Sequence, residues 1–108
     1  MIFRVEVAAQ AKSDLRGVYE YIAFTLLSPQ TAARQIGKLE KAILSLDNMP
    51  MRFKRYETEP WNSRGLRIMS VDNFVVLYIP NKETGVVTVI RVMYGGRNID
   101  EQLKHTDF

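Results

Sequence analysis

The stretch GLRIMSVDNFVVLYIPNKETGVVTVIRVMYGGRN, residues 65–98, predicts three consecutive strands and decides the fold. Residues 74–79 at its centre are an unbroken apolar run, rich in β-branched and aromatic side chains, which Pro80 is expected to end. A strand that is apolar on both faces is typical of the middle of a sheet. The central strand of the fold is therefore predicted here.

Two turns connect this strand to its neighbours. Asp72–Asn73 is a two-residue turn, because Asp and Asn tolerate the left-handed backbone of tight hairpins, so residues 66–71 are expected to pair antiparallel with the central strand. Residues 81–85 form a longer turn, in which Gly85 supplies a positive φ, followed by a strand at residues 86–93. The result is a three-stranded antiparallel meander.

The residues before the meander predict one strand and two helices. Residues 2–7 alternate in polarity as a half-buried edge strand does, and residues 10–27 and 29–47 carry apolar side chains at helical spacing. Ser28 is expected to cap the second helix, and Pro29 fits its first position because no hydrogen bond is lost there. The two apolar stripes are Ala11, Leu15, Val18, Tyr19, Ile22 and Leu26 in the first helix, and Ala32, Ile36, Leu39, Ile43 and Leu46 in the second.

These stripes could bind a partner, but a meander exposes an apolar face that helices must cover, so we expect an antiparallel helical hairpin packed on the sheet. After the meander, Asn98 is expected to cap a short helix at residues 99–104 that turns Ile99 and Leu103 inward. The predicted fold class is α+β, with an N-terminal strand, an αα-hairpin, a three-stranded antiparallel meander and a short C-terminal helix. At 108 residues, the chain is expected to be one domain, residues 1–108.

Composition narrows the chemistry that the chain can perform. There is no cysteine, which excludes disulfides and thiolate metal sites, and the single histidine, His105, cannot form a metal site by itself, so neither a metal nor a cofactor is expected. The first residues lack the long apolar core of a signal peptide, and no apolar run approaches the roughly 20 residues that span a bilayer. We expect a cytoplasmic protein without membrane contact.

The net charge of +3 is concentrated in one segment. Between residues 49 and 67 there are five basic side chains against two acidic ones, whereas the remaining chain has ten of each. Such a cluster suggests a polyanion or an acidic protein segment as partner, and a solvated, charge-rich loop is the alternative. Phe53, Tyr56 and Trp61 are interleaved with these cations, and they could stack on nucleic-acid bases or pin the long loop to the domain.

Short segments spread over almost the whole chain carry a family resemblance: Ala11–Leu15, Tyr21–Ala23, Ser28–Pro29, Ala32–Ala33, Ile43–Met49 before Pro50, Arg67, Val71–Phe74, Tyr78 and Ile90–Asn98. In this order and spacing they resemble the RelE/ParE superfamily of toxins from bacterial toxin–antitoxin pairs. The resemblance implies an antiparallel sheet that the N-terminal strand joins, with the helical hairpin on one face. It also implies a cognate antitoxin that wraps the toxin, in a homodimer or a toxin–antitoxin hetero-oligomer.

Two activities occur in that superfamily. RelE-like members cut messenger RNA on the ribosome, and ParE-like members poison DNA gyrase by binding it. Arg67 and Arg97 match the RNA-cutting pattern, and Tyr94 stands where some relatives have histidine; the positions that depart from the pattern are Met69, Val75 and Leu103. Cleavage requires a proton acceptor, charge at the phosphorane and a proton donor, and arginine supplies only the charge. An RNA-cutting site in this chain would use Arg67, Arg91, Tyr94 and Arg97.

The ending Ile90–Asn98 is closer to the ParE-like pattern of arginine, two apolar residues, histidine, glycine, any residue, arginine and aspartate. Tyr94 and Asn98 are its only departures. We therefore expect a ParE-like toxin that inhibits growth by binding DNA gyrase, with an RNA-cutting toxin, or a domain that only binds an antitoxin, as alternatives. The expected surface for the target or the antitoxin comprises Arg52, Lys54, Arg55, Trp61, Arg64, Arg67, Arg91 and Arg97.

Two of these arginines are expected on a sheet face that the helices leave open. By the two-residue period of a strand, Arg91 shares one face of the last strand with Val87, Val89 and Met93. An arginine is rarely buried without a partner. Arg91 should therefore lie on the open face with Arg67, forming a basic groove, or else pair with a carboxylate.

Overall fold

Five strands form one sheet, with two helices packed on one face and the C-terminal helix on the other. The computed structural model describes all residues, 1–108, and the sheet order is β1-β5-β4-β3-β2. The strands are β1 (Arg4–Val7), β2 (Lys54–Arg55), β3 (Arg67–Val71), β4 (Phe74–Asn81) and β5 (Val86–Tyr94). The helical segments are α1 (Ala9–Glu20), a π-helical turn (Tyr21–Thr25), α2 (Pro29–Leu44), two 3-10 turns (Ser45–Asp47 and Pro50–Arg52) and α3 (Ile99–Leu103).

The predicted meander is confirmed. β3 and β4 pair antiparallel around the Asp72–Asn73 turn, where Asp72 has a φ of 53°, and β4 pairs antiparallel with β5. The expected end of the central strand at Pro80 is wrong, because β4 continues one residue beyond it. Proline is tolerated because β3 pairs with β4 only as far as Tyr78, so no ladder bond is needed on that side of Pro80.

β1 is the edge strand that its alternating polarity predicts. It runs parallel to β5, however, so the sheet is mixed and the expectation of a wholly antiparallel sheet is wrong. The connection between the two strands allows this arrangement, because two adjacent parallel strands need a long crossover connection. Both helices and the rest of the meander lie between β1 and β5 in the chain, which leaves ample length for the return.

The helical hairpin covers one sheet face, as predicted. The whole stripe of α2 is buried or half-buried, and Pro29 occupies the first helical position. The predicted cap by Ser28 is wrong, because its hydroxyl donates to Thr31 Oγ1 at 2.7 Å instead of accepting from the backbone. The core on this face comprises Phe3, Ala11, Leu39, Ile43, Leu46, Met69, Val76, Tyr78, Val87, Val89 and Val92.

The first helix departs from its predicted stripe near its end. α1 stops at Glu20, and the π-helical turn that follows accommodates more residues per turn than an α-helix, which rotates the later side chains. Ala23 is buried as a result, whereas Leu26, predicted to face inward, is exposed. Tyr19, which was also predicted on the stripe, is exposed, and its ring lies edge-on to the exposed Phe24 ring with the centroids 6.4 Å apart.

The second sheet face is not open. Residues 51–64, predicted as a loop without structure, contain a 3-10 turn and the edge strand β2, and the loop then packs across the sheet with α3. Trp61 is buried, so the hypothesis that the aromatics pin this loop is the one that the structure supports at this position. The second core comprises Trp61, Leu66, Val75, Leu77, Ile90, Met93 and Leu103, with Tyr56, Ile68, Ile79 and Ile99 packed against it.

A β-bulge in β5 breaks the two-residue period on which the face of Arg91 was predicted. Tyr78 pairs with Val89 and Leu77 pairs with Arg91, so Ile90 is an extra residue. Val89 and Val92 consequently both reach the core under the hairpin, while Ile90 packs on the other face. The predicted grouping of Arg91 with Val87, Val89 and Met93 on one face is therefore wrong.

Candidate functional site

A groove of about 960 Å³ lies between the helical hairpin and the C-terminal end of β5. α1 contributes Gly17 and Val18 to its wall, the π-helical turn contributes Tyr21 and Ile22, and the hairpin of β3 and β4 contributes Phe74. β5 and the following turn contribute Arg91, Tyr94 and Arg97, which are three of the four residues of the predicted RNA-cutting set. The groove is therefore the candidate functional site.

Tyr94 is held in a defined orientation although its side chain is about half exposed. Its ring meets the Phe74 ring edge-on, with centroids 5.9 Å apart and the planes inclined at 76°. A Cβ on Gly96 would lie 2.9 Å from Tyr94 Cε1, so the glycine leaves room for the tyrosine ring. The Gly95 N–H donates to Asn73 O at 2.8 Å, which anchors this turn to the β3–β4 hairpin.

Arg97 is the free cation of the groove. It follows the Gly95–Gly96 turn, is exposed, and makes no side-chain hydrogen bond or ion pair within the chain. A guanidinium group in this state is available to an external carboxylate or phosphate, to which it can donate two parallel hydrogen bonds.

Arg91, in contrast, is engaged in the fold. Its Nε donates to Asp14 Oδ2 at 2.7 Å and its Nη2 to Asp14 Oδ1 at 3.0 Å, while Nη1 donates to Gln102 O and Thr106 Oγ1. Asp14 Oδ2 also accepts from the Val92 N–H at 2.9 Å, on the side of β5 where the pairing with β1 has already ended at Val89. Both side chains of the pair are largely buried, with 11% and 16% exposed, so Arg91 joins α1, β5 and the C-terminal residues.

Arg67 lies elsewhere, on the opposite side of β4. Its Nη1 donates to Met51 O at 3.1 Å and to Phe53 O at 2.7 Å, which fixes the 3-10 turn that precedes β2. The hydroxyl of the neighbouring Tyr78 donates to Pro50 O at 2.6 Å. Burial raises the pKa of Tyr78 to about 12, and the charge of Arg67 opposes that rise. The expectation of an open basic groove shared by Arg67 and Arg91 is wrong, because separate structural contacts hold each of them.

The other predicted binding residues do not converge on the groove. Arg52 donates to Asn48 O and Met49 O after α2 and stacks on the Phe53 ring, and Arg55 donates to Asn62 O at 2.6 Å. Their guanidinium groups therefore stabilise the loop that the charge cluster occupies.

The remaining members of the charge cluster are more accessible. Arg64 lies 4.8 Å from the centroid of the buried Trp61 ring and donates to Phe108 O, while Lys54 pairs with Glu57 at 3.0 Å on the surface. These residues form a charged surface around β2 and the following loop, separate from the residues that line the groove.

The loop is tied to α3 by one polar contact. The Tyr56 hydroxyl donates to Asp100 Oδ1, and burial together with this carboxylate raises the pKa of Tyr56 to about 12. Asn98 Oδ1 accepts from the Glu101 N–H at 3.2 Å, which confirms the predicted cap, and Leu103 is buried as predicted.

No group of three His, Asp or Glu side chains is arranged to hold a metal ion. None of the helices has both the length and the apolar character needed to cross a bilayer. Asp14, Gly17 and Phe74 were missed as parts of the site. Asp14 had a usable signal, because a carboxylate three residues after Ala11 and four before Val18 lies on the buried stripe of α1.

Comparison with known proteins identifies the family. The family model described as the ParE toxin of the type II toxin–antitoxin system parDE matches residues 5–99, which is most of the chain. No curated protein matches the sequence.

Solved structures share the fold at low sequence identity. A chain of the chromosomal ParDE toxin–antitoxin system of Pseudomonas aeruginosa matches with a TM-score of 0.72 and 13% identity, covering 86% of this chain and 96% of its own. A mutant of Escherichia coli toxin RelE in the free state matches with a TM-score of 0.64 and 16% identity, covering 97% and 98%. A chain of the toxin–antitoxin complex RelBE2 of Mycobacterium tuberculosis matches with a TM-score of 0.62 and 21% identity, covering 87% and 99%. Together with the match to the family model, these likenesses lead to one conclusion: the chain belongs to the ParE toxin family of the RelE/ParE superfamily and is the toxin of a type II toxin–antitoxin system.

Proposed function

We propose that this toxin arrests growth by binding DNA gyrase, without cutting RNA, and that a cognate antitoxin neutralises it. The observation that carries the proposal is that two arginines of the RNA-cutting pattern make structural contacts within the chain. Arg91 forms a buried ion pair with Asp14, and Arg67 donates to the carbonyls of Met51 and Phe53. Both guanidinium groups stabilise the fold, so neither is free to stabilise the charge of a phosphorane, which is the role that the RNA-cutting pattern gives to arginine.

The groove that remains is better equipped for recognition than for proton transfer. Of the four candidate residues, Tyr94 and Arg97 alone present free polar groups there. Cleavage at a ribose 2′-oxygen needs a base and an acid in addition to positive charge, and a guanidinium group stays protonated. Tyrosine and arginine are instead two of the residue types in which the hot spots of protein–protein interfaces are enriched.

Antitoxin binding is supported by what the related structures contain. The matched chains from Mycobacterium tuberculosis, Escherichia coli and Pyrococcus horikoshii come from complexes of a toxin with its antitoxin. For this chain we propose a toxin–antitoxin hetero-oligomer with an acidic partner, because the surplus positive charge around β2 would attract opposite charge.

The gyrase assignment is tested with purified components. The protein should inhibit supercoiling of relaxed plasmid by gyrase, and the Arg97→Ala variant should need about tenfold or more protein for the same inhibition, the range of a hot-spot truncation. Arg34→Ala is the matched control, because Arg34 is exposed on α2 outside the groove. Unchanged supercoiling at saturating protein would refute the assignment.

An RNA-cutting toxin acting on the ribosome is the second candidate. The observation in its favour is that Tyr94 and Arg97 flank the Gly95–Gly96 turn, where a phosphate could approach the backbone. Incubation with ribosomes carrying a defined messenger RNA, followed by mapping of new 5′ ends, distinguishes the two. We expect no new ends within the translated codons.

A further inference from the structure

The tip of the helical hairpin exposes a cluster of large apolar side chains. This cluster, which we call the tip patch, comprises Tyr19, Tyr21, Phe24, Leu26 and Leu27. Leu27 is 82% exposed and Phe24 is 67% exposed, so the fold covers little of either side chain. An exposed apolar patch of this kind is typical of a surface that binds a partner.

The chain around the tip patch carries no charge. Residues 21–33 contain no Asp, Glu, Lys or Arg, although a quarter of the whole chain is charged. Burial accounts for the next longest uncharged run, residues 73–81, because most of that run is buried or half-buried in β4. Burial does not account for residues 21–33, where most side chains are exposed. Depletion of charged residues together with enrichment of aromatic ones characterises the core of a protein–protein interface.

Leu27 has a backbone conformation that leucine rarely adopts. Its φ is 54°, in the left-handed region that glycine favours after a helix. Backbone hydrogen bonds close the turn, from the Leu26 N–H to Tyr21 O at 3.0 Å and from the Ser28 N–H to Ile22 O at 3.1 Å. Glycine would fit this backbone, and the Leu27 side chain belongs to neither core. The free chain therefore gains nothing from a leucine here, whereas a complex that covers the tip would bury it.

We propose that the tip patch is a self-association surface, at which two copies of this chain pack tip to tip about a two-fold axis. The acidic antitoxin proposed above would find no cation within residues 21–33, whereas an uncharged patch meets its own copy without like-charge repulsion. The five side chains at these exposures offer roughly 500 Å² per copy, or about 1,000 Å² in the dimer. This area is near the lower limit of specific interfaces, so the dimer should be weak and should dissociate at micromolar concentrations. Because the partner is a second copy, the proposal depends on neither gyrase nor the antitoxin.

The test is sedimentation of the purified chain, without antitoxin, from about 1 to about 300 µM, where the wild type should shift from monomer to dimer. Phe24→Gln and Leu27→Gly should each weaken the dimer about tenfold or more, because each removes a central apolar contact. Leu27→Gly should do so without lowering the melting temperature, since glycine fits the backbone there. Leu44→Gln is the matched control: Leu44 is 66% exposed at the opposite end of α2, and the substitution should leave the dimer unchanged.

A pair of opposite charges at Leu27 tests the two-fold arrangement itself. Leu27→Glu and Leu27→Lys should each be monomeric, because the axis brings like charges together, and an equimolar mixture of the two should restore the dimer. If the mixture stays monomeric, the tip-to-tip packing is refuted. A wild type that remains monomeric over the whole concentration range overturns the proposal, and so does a dimer that Leu44→Gln weakens as much as Phe24→Gln does, since the contact would then lie elsewhere.

Discussion

Removing one partner of the Arg91–Asp14 pair should destabilise the protein more than any change to an exposed ion pair. The two side chains are 11% and 16% exposed, and the two charged groups share two hydrogen bonds of 2.7 and 3.0 Å. Breaking a buried pair leaves an uncompensated charge, which costs about 3 to 5 kcal/mol. For a domain of this size, about 3 kcal/mol corresponds to a fall of at least roughly 12 °C in melting temperature.

The measurement is the free energy of unfolding in urea for Arg91→Met, Asp14→Leu and the double variant. The double variant should recover only part of the loss, because the apolar side chains remove both charges together but leave the buried Val92 N–H without its acceptor. Lys104→Met is the control, since Lys104 pairs with Glu101 on the surface and should change stability by about 0.5 kcal/mol or less. If Arg91→Met unfolds with a free energy within 1 kcal/mol of the wild type, the argument that Arg91 serves the fold is refuted.

The remaining predictions concern the Tyr78 hydroxyl and the charged loop. The pKa of Tyr78 is raised from 10.0 to about 12, so between these pH values the hydroxyl stays protonated in the folded state and ionises in the unfolded state. The contribution of Tyr78 to the free energy of unfolding is therefore complete below pH 10 and is lost as the pH rises to 12. Tyr78→Phe should therefore flatten the fall in stability between pH 10 and 12, and an unchanged slope in urea titrations would contradict this. Neutralising Lys54 and Arg55 should slow association with the antitoxin at low salt more than it weakens the complex at high salt; stopped-flow measurement of an unchanged on-rate would argue against steering by this loop.

Regular patterns in the sequence predicted most of the architecture. The apolar run at residues 74–79, the Asp72–Asn73 turn and the stripe of α2 each depend on local periodicity, and each was confirmed. Periodicity failed where one residue was inserted into a regular element. The bulge at Ile90 and the π-helical turn both shift the side chains that follow, and neither changes the local composition enough to be seen.

The candidate site was predicted only in part, because the identity of a residue does not specify its partner. Tyr94 and Arg97, which flank the Gly95–Gly96 turn in the sequence, both line the groove, and their part in binding stays a prediction. Two alternatives were predicted for Arg91, an open sheet face or a carboxylate partner, and the structure shows the carboxylate partner. That partner, Asp14, could not be named from the sequence because it lies 77 positions away in the chain.

Expression of the wild type and Tyr94→Phe in a sensitive host tests the central claim most directly, with plasmid supercoiling and messenger RNA ends followed in the same cells. If the protein acts by binding gyrase, loss of one hydroxyl should cost about 1 kcal/mol or less, so toxicity and the change in supercoiling should persist. If Tyr94 transfers a proton during RNA cleavage, the same change should reduce cleavage on the order of a hundredfold or more. We predict persistence. New cuts within translated codons that Tyr94→Phe abolishes, with supercoiling untouched, would contradict the gyrase proposal and make the groove an active site.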